Sequence, residues 1–256
     1  MNKLSVALLV ALSGVSVASA ADVVVAPGTA PWVGYMNVFE LPANGSGYVF
    51  GSPWGVPDLV SVFNDAASTL TLKVNSVNDP NPFWYTPAGG PGSEGNKITD
   101  ANTYQEATDI YNGQTLTFSG TVTSYTLASS HQAYVFIKDF APDYSSYNSN
   151  IIPLATGAFS VSLDCDAQAG RHVQWGFEVI GPCVWITDAD SKGSIVIATD
   201  AGCKADFNGD GFLDFTDFDD FVGAFEAGAS NGDFNGDGFL DFTDFDSFVE
   251  AFEAGC

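Results

Sequence analysis

The sequence predicts a mainly β protein: a jelly-roll-like β-sandwich followed by a small α-helical module made of two loop–helix repeats. Three observations predict it. Short runs rich in β-branched and aromatic residues, separated by Asn, Asp, Gly and Pro clusters, fill the middle of the chain. Apart from a short helix expected near Asp58 to Ala66, no apolar period of 3.6 is found among them. Composition then shifts near Ala201-Gly202-Cys203: residues 203–256 hold 14 acidic side chains against one lysine, Lys204. The expected organisation is a signal peptide over 1–20, a β-sandwich over 21–202 and the repeat module over 203–256.

The N-terminus reads as an export signal. Lys3 supplies a positive n-region, Leu4 to Val17 a short apolar run, and Ala18-Ser19-Ala20 a small-x-small cleavage pattern. The run is shorter than the roughly 20 apolar residues that cross a bilayer. The expectation is therefore a secreted, cell-surface-associated protein with no direct membrane insertion after signal removal.

Charge narrows the partners. With 31 acidic against 7 basic side chains the chain carries a net charge of −24. Nucleic acid and anionic membranes both need Lys and Arg, so both are excluded as partners. Metal cations or basic surfaces are the natural counter-charges.

Within the body, strands are expected over Thr115 to Thr123, Ala133 to Asp139, Val173 to Val179, Val184 to Thr187 and Ser194 to Ala198. Many short strands over about 180 residues favour two packed sheets. Pro80, Pro82, Pro87 and Pro91 mark a long ordered connection. Four cysteines in an exported chain, Cys165, Cys183, Cys203 and Cys256, suggest two disulfides, with three pairings open.

The strongest signal is an internal duplication. Asp206 to Gly228 and Asp233 to Gly255 align over 23 residues with two differences, Asp220/Ser247 and Gly223/Glu250. Each copy opens DFNGDGFLDFTD. Loop positions 1, 3, 5, 9 and 12 are Asp206, Asn208, Asp210, Asp214 and Asp217, then Asp233, Asn235, Asp237, Asp241 and Asp244. Gly211 and Gly238 stand where the loop turns sharply, and Phe212 and Phe239 offer a backbone carbonyl at position 7. Oxygen donors at alternate positions wrap one hard cation, so each loop is expected to hold one Ca2+, two ions in all. Phe215, Phe218, Val222 and Phe225 are expected on one face of the following helix, echoed by Phe242, Phe245, Val249 and Phe252. Leu213 and Leu240 are expected to meet between the paired loops.

No helix can enter either loop, because Asp200 to Ala205 and Gly228 to Gly232 are short and Gly-broken. A tandem loop–helix pair of this kind resembles a dockerin, and the closing Gly255-Cys256 resembles the GC-type dockerin of exported bacterial proteins. The resemblance covers residues 203–256. It implies a cohesin-like or other surface anchoring partner, contacted by residues after position 9 and along the helix. Here positions 10 and 11 are Phe215-Thr216 and Phe242-Thr243, in place of the small hydroxylated pair common in cellulosomal dockerins. In that family the repeats bring the module's ends together, which implies a Cys203–Cys256 bridge.

For the body, Trp84 and Tyr85, beside the Pro/Gly connection, are the chosen sugar-stacking platform. Asp164 with Asp166 and Asp188 with Asp190 are read as turn chemistry or a structural calcium site. His131 and His172 belong to no nucleophile or zinc motif, and no catalytic residue is nominated. The functional expectation is a non-catalytic, carbohydrate-binding β-sandwich on a calcium-dependent anchor within a polysaccharide-handling assembly. The alternatives are a polysaccharide hydrolase or lyase on the same anchor, or a structural envelope protein.

Overall fold

The computed structural model describes residues 20–200, 204–208 and 213–254. The signal-peptide residues 1–19, the cysteines Cys203 and Cys256, and the loop residues Asp210, Gly211 and Phe212 lie outside the described residues.

The described residues form fourteen strands. In chain order they are β1 (Ala20–Val24), β2 (Val33–Glu40), β3 (Tyr48–Trp54), β4 (Ser61–Asn64), β5 (Thr69–Lys73), β6 (Tyr85–Thr86) and β7 (Glu94–Gly95). There follow β8 (Lys97–Thr108), β9 (Thr115–Tyr125), β10 (Gln132–Phe140), β11 (Tyr147–Pro153), β12 (Gly157–Asp164), β13 (His172–Pro182) and β14 (Ser194–Ala198). Two helices close the chain, α1 (Phe215–Glu226) and α2 (Phe242–Ala254).

Twelve of the strands make two six-stranded sheets. The first runs β1-β9-β14-β5-β4, with β12 also paired to β9. The second is antiparallel in the order β11-β10-β13-β8-β2-β3. Because side chains alternate across a strand, each sheet has an inner and an outer face. The inner faces supply one core: Leu70, Leu72, Leu116, Phe118, Ile195 and Ile197 from the first sheet, Val135, Ile137, Val173, Trp175, Phe177 and Val179 from the second. Two sheets over a shared apolar layer are the sandwich arrangement, and the protein is mainly β as its sequence predicts.

Expectation and structure part in several places. Asp58 to Ala66 is not an α-helix. It is two 3₁₀ turns flanking β4, the first closed by Val60 at φ 58°, the second by Ser68 at φ 49°. Each left-handed residue stops helix propagation. Val184 to Thr187 is not a strand either: Val184 makes one isolated bridge to Ser76, and a 3₁₀ turn begins at Ile186.

The third correction concerns the disulfides. Cys165 and Cys183 are both free and buried. They belong to different apolar clusters, Cys165 to the inter-sheet core and Cys183 to a satellite cluster with Met36, Leu59, Trp84 and Tyr85. The Cys183 thiol donates to the Tyr85 hydroxyl at 3.1 Å instead. Burial pushes both thiols up, Cys165 to about 11, so neither is primed for exchange.

The helices pack on each other around a third cluster. Six of the eight residues expected on the buried face pack on it, but its centre is a pair not among those eight. Phe221 and Phe248 are fully buried, their rings stacked at 4.1 Å and 8°. Phe218, Val222, Phe225, Phe245, Val249 and Phe252 pack around them. Phe215 and Phe242, expected on the same face, are each 77% exposed. Leu213 packs on this cluster whereas Leu240 is exposed.

Candidate functional site

The outer face of the second sheet carries a continuous set of polar and aromatic groups. Register places Phe136 of β10, Gly176 of β13 and Tyr104 of β8 in one row, and Glu178, Asn102 and Tyr35 in a neighbouring one. Asp100 lies opposite Asn37, and Gln174 opposite Glu106. All of these but Phe136 and Gly176 line, together with Phe39, Lys138, Phe140, Tyr144, Tyr147 and Ile151, a cleft of about 740 Å³. Gly176 matters to its floor. A Cβ there would come within 2.3 Å of the Thr103 carbonyl oxygen and 2.7 Å of the Tyr104 Cβ, so the strands close up only because the side chain is missing.

The floor is a connected polar network. Lys138 Nζ donates to Glu178 Oε2 at 2.8 Å and to Asn102 Oδ1 at 2.9 Å, and rests 3.9 Å from the Phe136 ring centre. Asn102 Nδ2 donates to Asp100 Oδ1 at 2.7 Å, and Asn37 Nδ2 to Asp100 Oδ2 at 3.2 Å. Burial, reinforced by the negative charge of Glu178, pushes the Asp100 carboxyl up to about 6.

The second polar group sits at Glu106. Gln174 Nε2 donates to Glu106 Oε2 at 2.6 Å, and the Tyr144 hydroxyl to Oε1 at 3.0 Å. Tyr144, in the turn between β10 and β11, has φ 57° and lies flat on His172 at 4.3 Å and 12°. Left-handed backbone at a bulky residue costs energy that outside contacts must offset, and such strain gathers at ligand clamps. Burial and the adjacent Glu106 hold the Tyr144 hydroxyl at about 12, so it stays a donor at neutral pH. Tyr144 and Tyr147 keep 48% and 52% of their surface exposed at the cleft mouth.

The predicted platform is elsewhere and is not a platform. Tyr85 is 0% and Trp84 8% exposed. The Tyr85 hydroxyl donates to the carbonyls of Val77 and Val184, and Trp84 packs edge-on against Phe83 at 4.8 Å and Phe50 at 6.2 Å. They pin the Pro/Gly connection onto the body, so no sugar face can reach them. The Asp-x-Asp pairs are spent locally: Asp164 accepts from Thr115, Asp166 from the Gln168 N–H, Asp188 from the Gly92 N–H, and Asp190 pairs with Lys73.

The cleft residues were missed, because Asp100, Asn102, Tyr104 and Glu106 alternate with Ala101, Thr103 and Gln105, a run too polar on both faces to show an apolar period.

In the repeat module the second loop is described throughout. Asp233 Oδ1 accepts from the N–H groups of Gly236 and Asp237, and its Oδ2 from Gly238. Asn235 Oδ1 accepts from Asp237 N–H, and Asp237 Oδ1 from Phe239 N–H. Gly238 turns the chain at φ 85°. Asp244, fully buried, accepts from the N–H groups of Asp241 and Asn235. Asp217 does the same with Asp214 and Asn208 in the first repeat. Backbone N–H groups, Asp241's foremost, hold Asp244 below the usual carboxylate range. In Asp217 burial pushes the other way and is outweighed by the N–H groups of Asp214 and Asn208.

Positions 9 and 12 are also N-cap and N3 of the helix. Asp214 accepts from Thr216 N–H while Asp217 reaches back to Asp214 N–H, a capping box that Asp241, Thr243 and Asp244 repeat. Every side-chain donor in the second loop is oxygen, the donor type a hard divalent cation takes, although among the described residues no three carboxylates converge as a ready-made metal cluster.

No family model matches the chain, and no curated protein matches it. Two solved structures do. One is the carbohydrate-binding module TmCBM61 in complex with β-1,4-galactotriose: 13% identity, TM-score 0.26, over 51% of this chain and 77% of that one. The other is the enzymatically active domain of bacteriophage CBA120 tailspike protein 4: 13% identity, TM-score 0.27, over 53% of this chain and 19% of that one. Both are distant likenesses over about half the chain.

Proposed function

We propose that this is an exported carbohydrate-binding protein whose outer-sheet cleft holds a polysaccharide segment and whose repeat module is a calcium-dependent anchor. The observation that carries the reading is the cleft itself. Tyr35, Phe39, Phe140, Tyr144 and Tyr147 line it with rings, while Asn37, Asn102, Gln174 and three carboxylates supply hydrogen-bonding groups. A pyranose has apolar C–H faces and a rim of hydroxyls, and this alternation matches both.

The anchor rests on the duplicated oxygen-donor loops. Asp206, Asn208, Asp210, Phe212, Asp214 and Asp217 would hold one Ca2+, and Asp233, Asn235, Asp237, Phe239, Asp241 and Asp244 the other. Bound calcium supplies charge neutralisation for four carboxylates per loop. A cohesin-like surface protein is the proposed partner, on the resemblance of residues 203–256 to dockerins.

Affinity electrophoresis through gels cast with a panel of polysaccharides tests the cleft. Retardation by at least one glycan that is lost in Tyr144→Ala/Tyr147→Ala supports it. Equal mobility in every gel overturns it.

A second reading has one observation in its favour. Asp100, held near 6, shares its network with Glu178, and a protonatable carboxyl beside a second carboxylate is the pairing glycoside hydrolysis uses. New reducing ends appearing with wild type and not with Glu178→Gln would establish hydrolysis. Their absence on a retained glycan leaves binding alone.

A further inference from the structure

The cleft has a charge character that its shape does not require. Asp100, Glu106 and Glu178 line it, and among the described residues Lys138 is the only lysine or arginine that does. That ammonium is already committed, to Glu178 at 2.8 Å and Asn102 at 2.9 Å. Its other close neighbour is the Phe136 ring. The single arginine of the sequence, Arg171, just before β13, is buried and directs Nε to Asp139 at 2.7 Å. The two networks therefore leave Asp100 and Glu106 hydrogen-bonded by amides and a phenol, which donate without cancelling charge; the other cationic group near them is His172, whose Nδ1 lies 4.0 Å from Glu106 Oε1 and carries charge only when protonated. The net charge of −24 adds a long-range field of the same sign.

We infer that the cleft selects its glycan by charge, accepting uncharged sugar units and rejecting uronic acids. This rests on the carbohydrate reading above and adds the substrate class. Sugar hydroxyls are donors and suit carboxylate acceptors. A uronate carboxylate would meet Asp100 or Glu106 with no free cation to bridge them, and like-charge contact at a desolvated interface strongly disfavours a partner. A site built for uronates would present an unspent Lys or Arg to the sugar carboxylate.

Matched oligosaccharides that differ only at C6 test this on the full chain: gluco-, galacto- and manno-oligomers against their uronic acid counterparts, by titration calorimetry. For whichever backbone binds, the uronate form should be weaker by about 100-fold or more at 20 mM salt. Because the proposed rejection is electrostatic, raising salt to 1 M, where the Debye length falls to about 3 Å, should narrow the ratio at least tenfold. Asp100→Asn/Glu106→Gln should narrow it at low salt, and the salt series on wild type stands even where that variant misfolds. A uronate that binds as tightly as its neutral partner, or a ratio indifferent to salt, overturns the inference while leaving carbohydrate binding intact. No binding by any oligomer of either kind overturns the carbohydrate reading, and this inference with it.

Discussion

Lys138 and Glu178 form a 2.8 Å ion pair between adjacent strands on the floor of the cleft, both with nine-tenths or more of their surface buried. Taking two charges out of water is costly, and their attraction offsets that cost only while both are present. Lys138→Met should therefore lose about 3–5 kcal/mol in urea unfolding, since Glu178 is left buried and unpaired. Lys138→Met/Glu178→Gln should recover much of that loss. A double variant no more stable than the single one would show that the pair is not the source.

The raised Asp100 carboxyl gives a pH signature. Its folded value near 6 lies above the unfolded value near 4, so the folded state holds the extra proton between them. Its contribution to stability is present below about pH 4 and is lost as pH rises through 6. Asp100→Asn removes that dependence. The variant's melting temperature, measured relative to wild type, should rise from pH 4.5 to pH 7.5. A difference constant over that range would contradict the assignment.

The stacked Phe221 and Phe248 should be the weakest point of the helical module to truncation. Either one changed to Ala removes a fully buried ring, a loss of about 3–5 kcal/mol, which is most of what so small a module possesses. Phe215→Ala and Phe242→Ala, at exposed rings, should stay within about 0.5 kcal/mol. Helix content by circular dichroism separates the two classes.

Calcium should stabilise the same module and leave the sheets untouched. Free calcium a thousandfold above Kd contributes about 4 kcal/mol per site through linkage. Chelator, or Asp206→Ala with Asp233→Ala, should lower a melting transition that carries the helical signal. Helix melting that is identical with calcium and with chelator would count against bound metal.

What could be read in advance follows from which faces are apolar. β14 matches its expected bounds, Ser194 to Ala198, because Ile195 and Ile197 alternate with smaller or exposed neighbours. β8 was invisible for the opposite reason. Its outer residues Asp100, Asn102 and Glu106 form the candidate site, and its inner ones include Thr99 and Thr103, so no apolar period marks the strand. The residues that make the cleft are the ones that erase the strand signal. Trp84 and Tyr85 misled because aromatic content beside a Pro/Gly loop says nothing of burial, which the long-range bond from Tyr85 to the Val184 carbonyl decides. In the helices the apolar face was legible, but not which residue on it is central, nor that Phe215 and Phe242 at its N-terminal end stay exposed. Phe221 and Phe248 lie one turn from the chosen residues, and only the facing helix determines which phenylalanine is central.

The proposed glycan site depends on the rings at the mouth of the outer-sheet cleft. The most direct measurement is the dissociation constant of the full chain for a retained polysaccharide or its oligomers, compared with Tyr144→Ala/Tyr147→Ala and with Trp84→Ala. The tyrosine variant should bind at least tenfold more weakly with an unchanged melting temperature, while Trp84→Ala, a buried ring, should lose about 3–5 kcal/mol of stability. Unweakened binding by the tyrosine variant would contradict the proposed site.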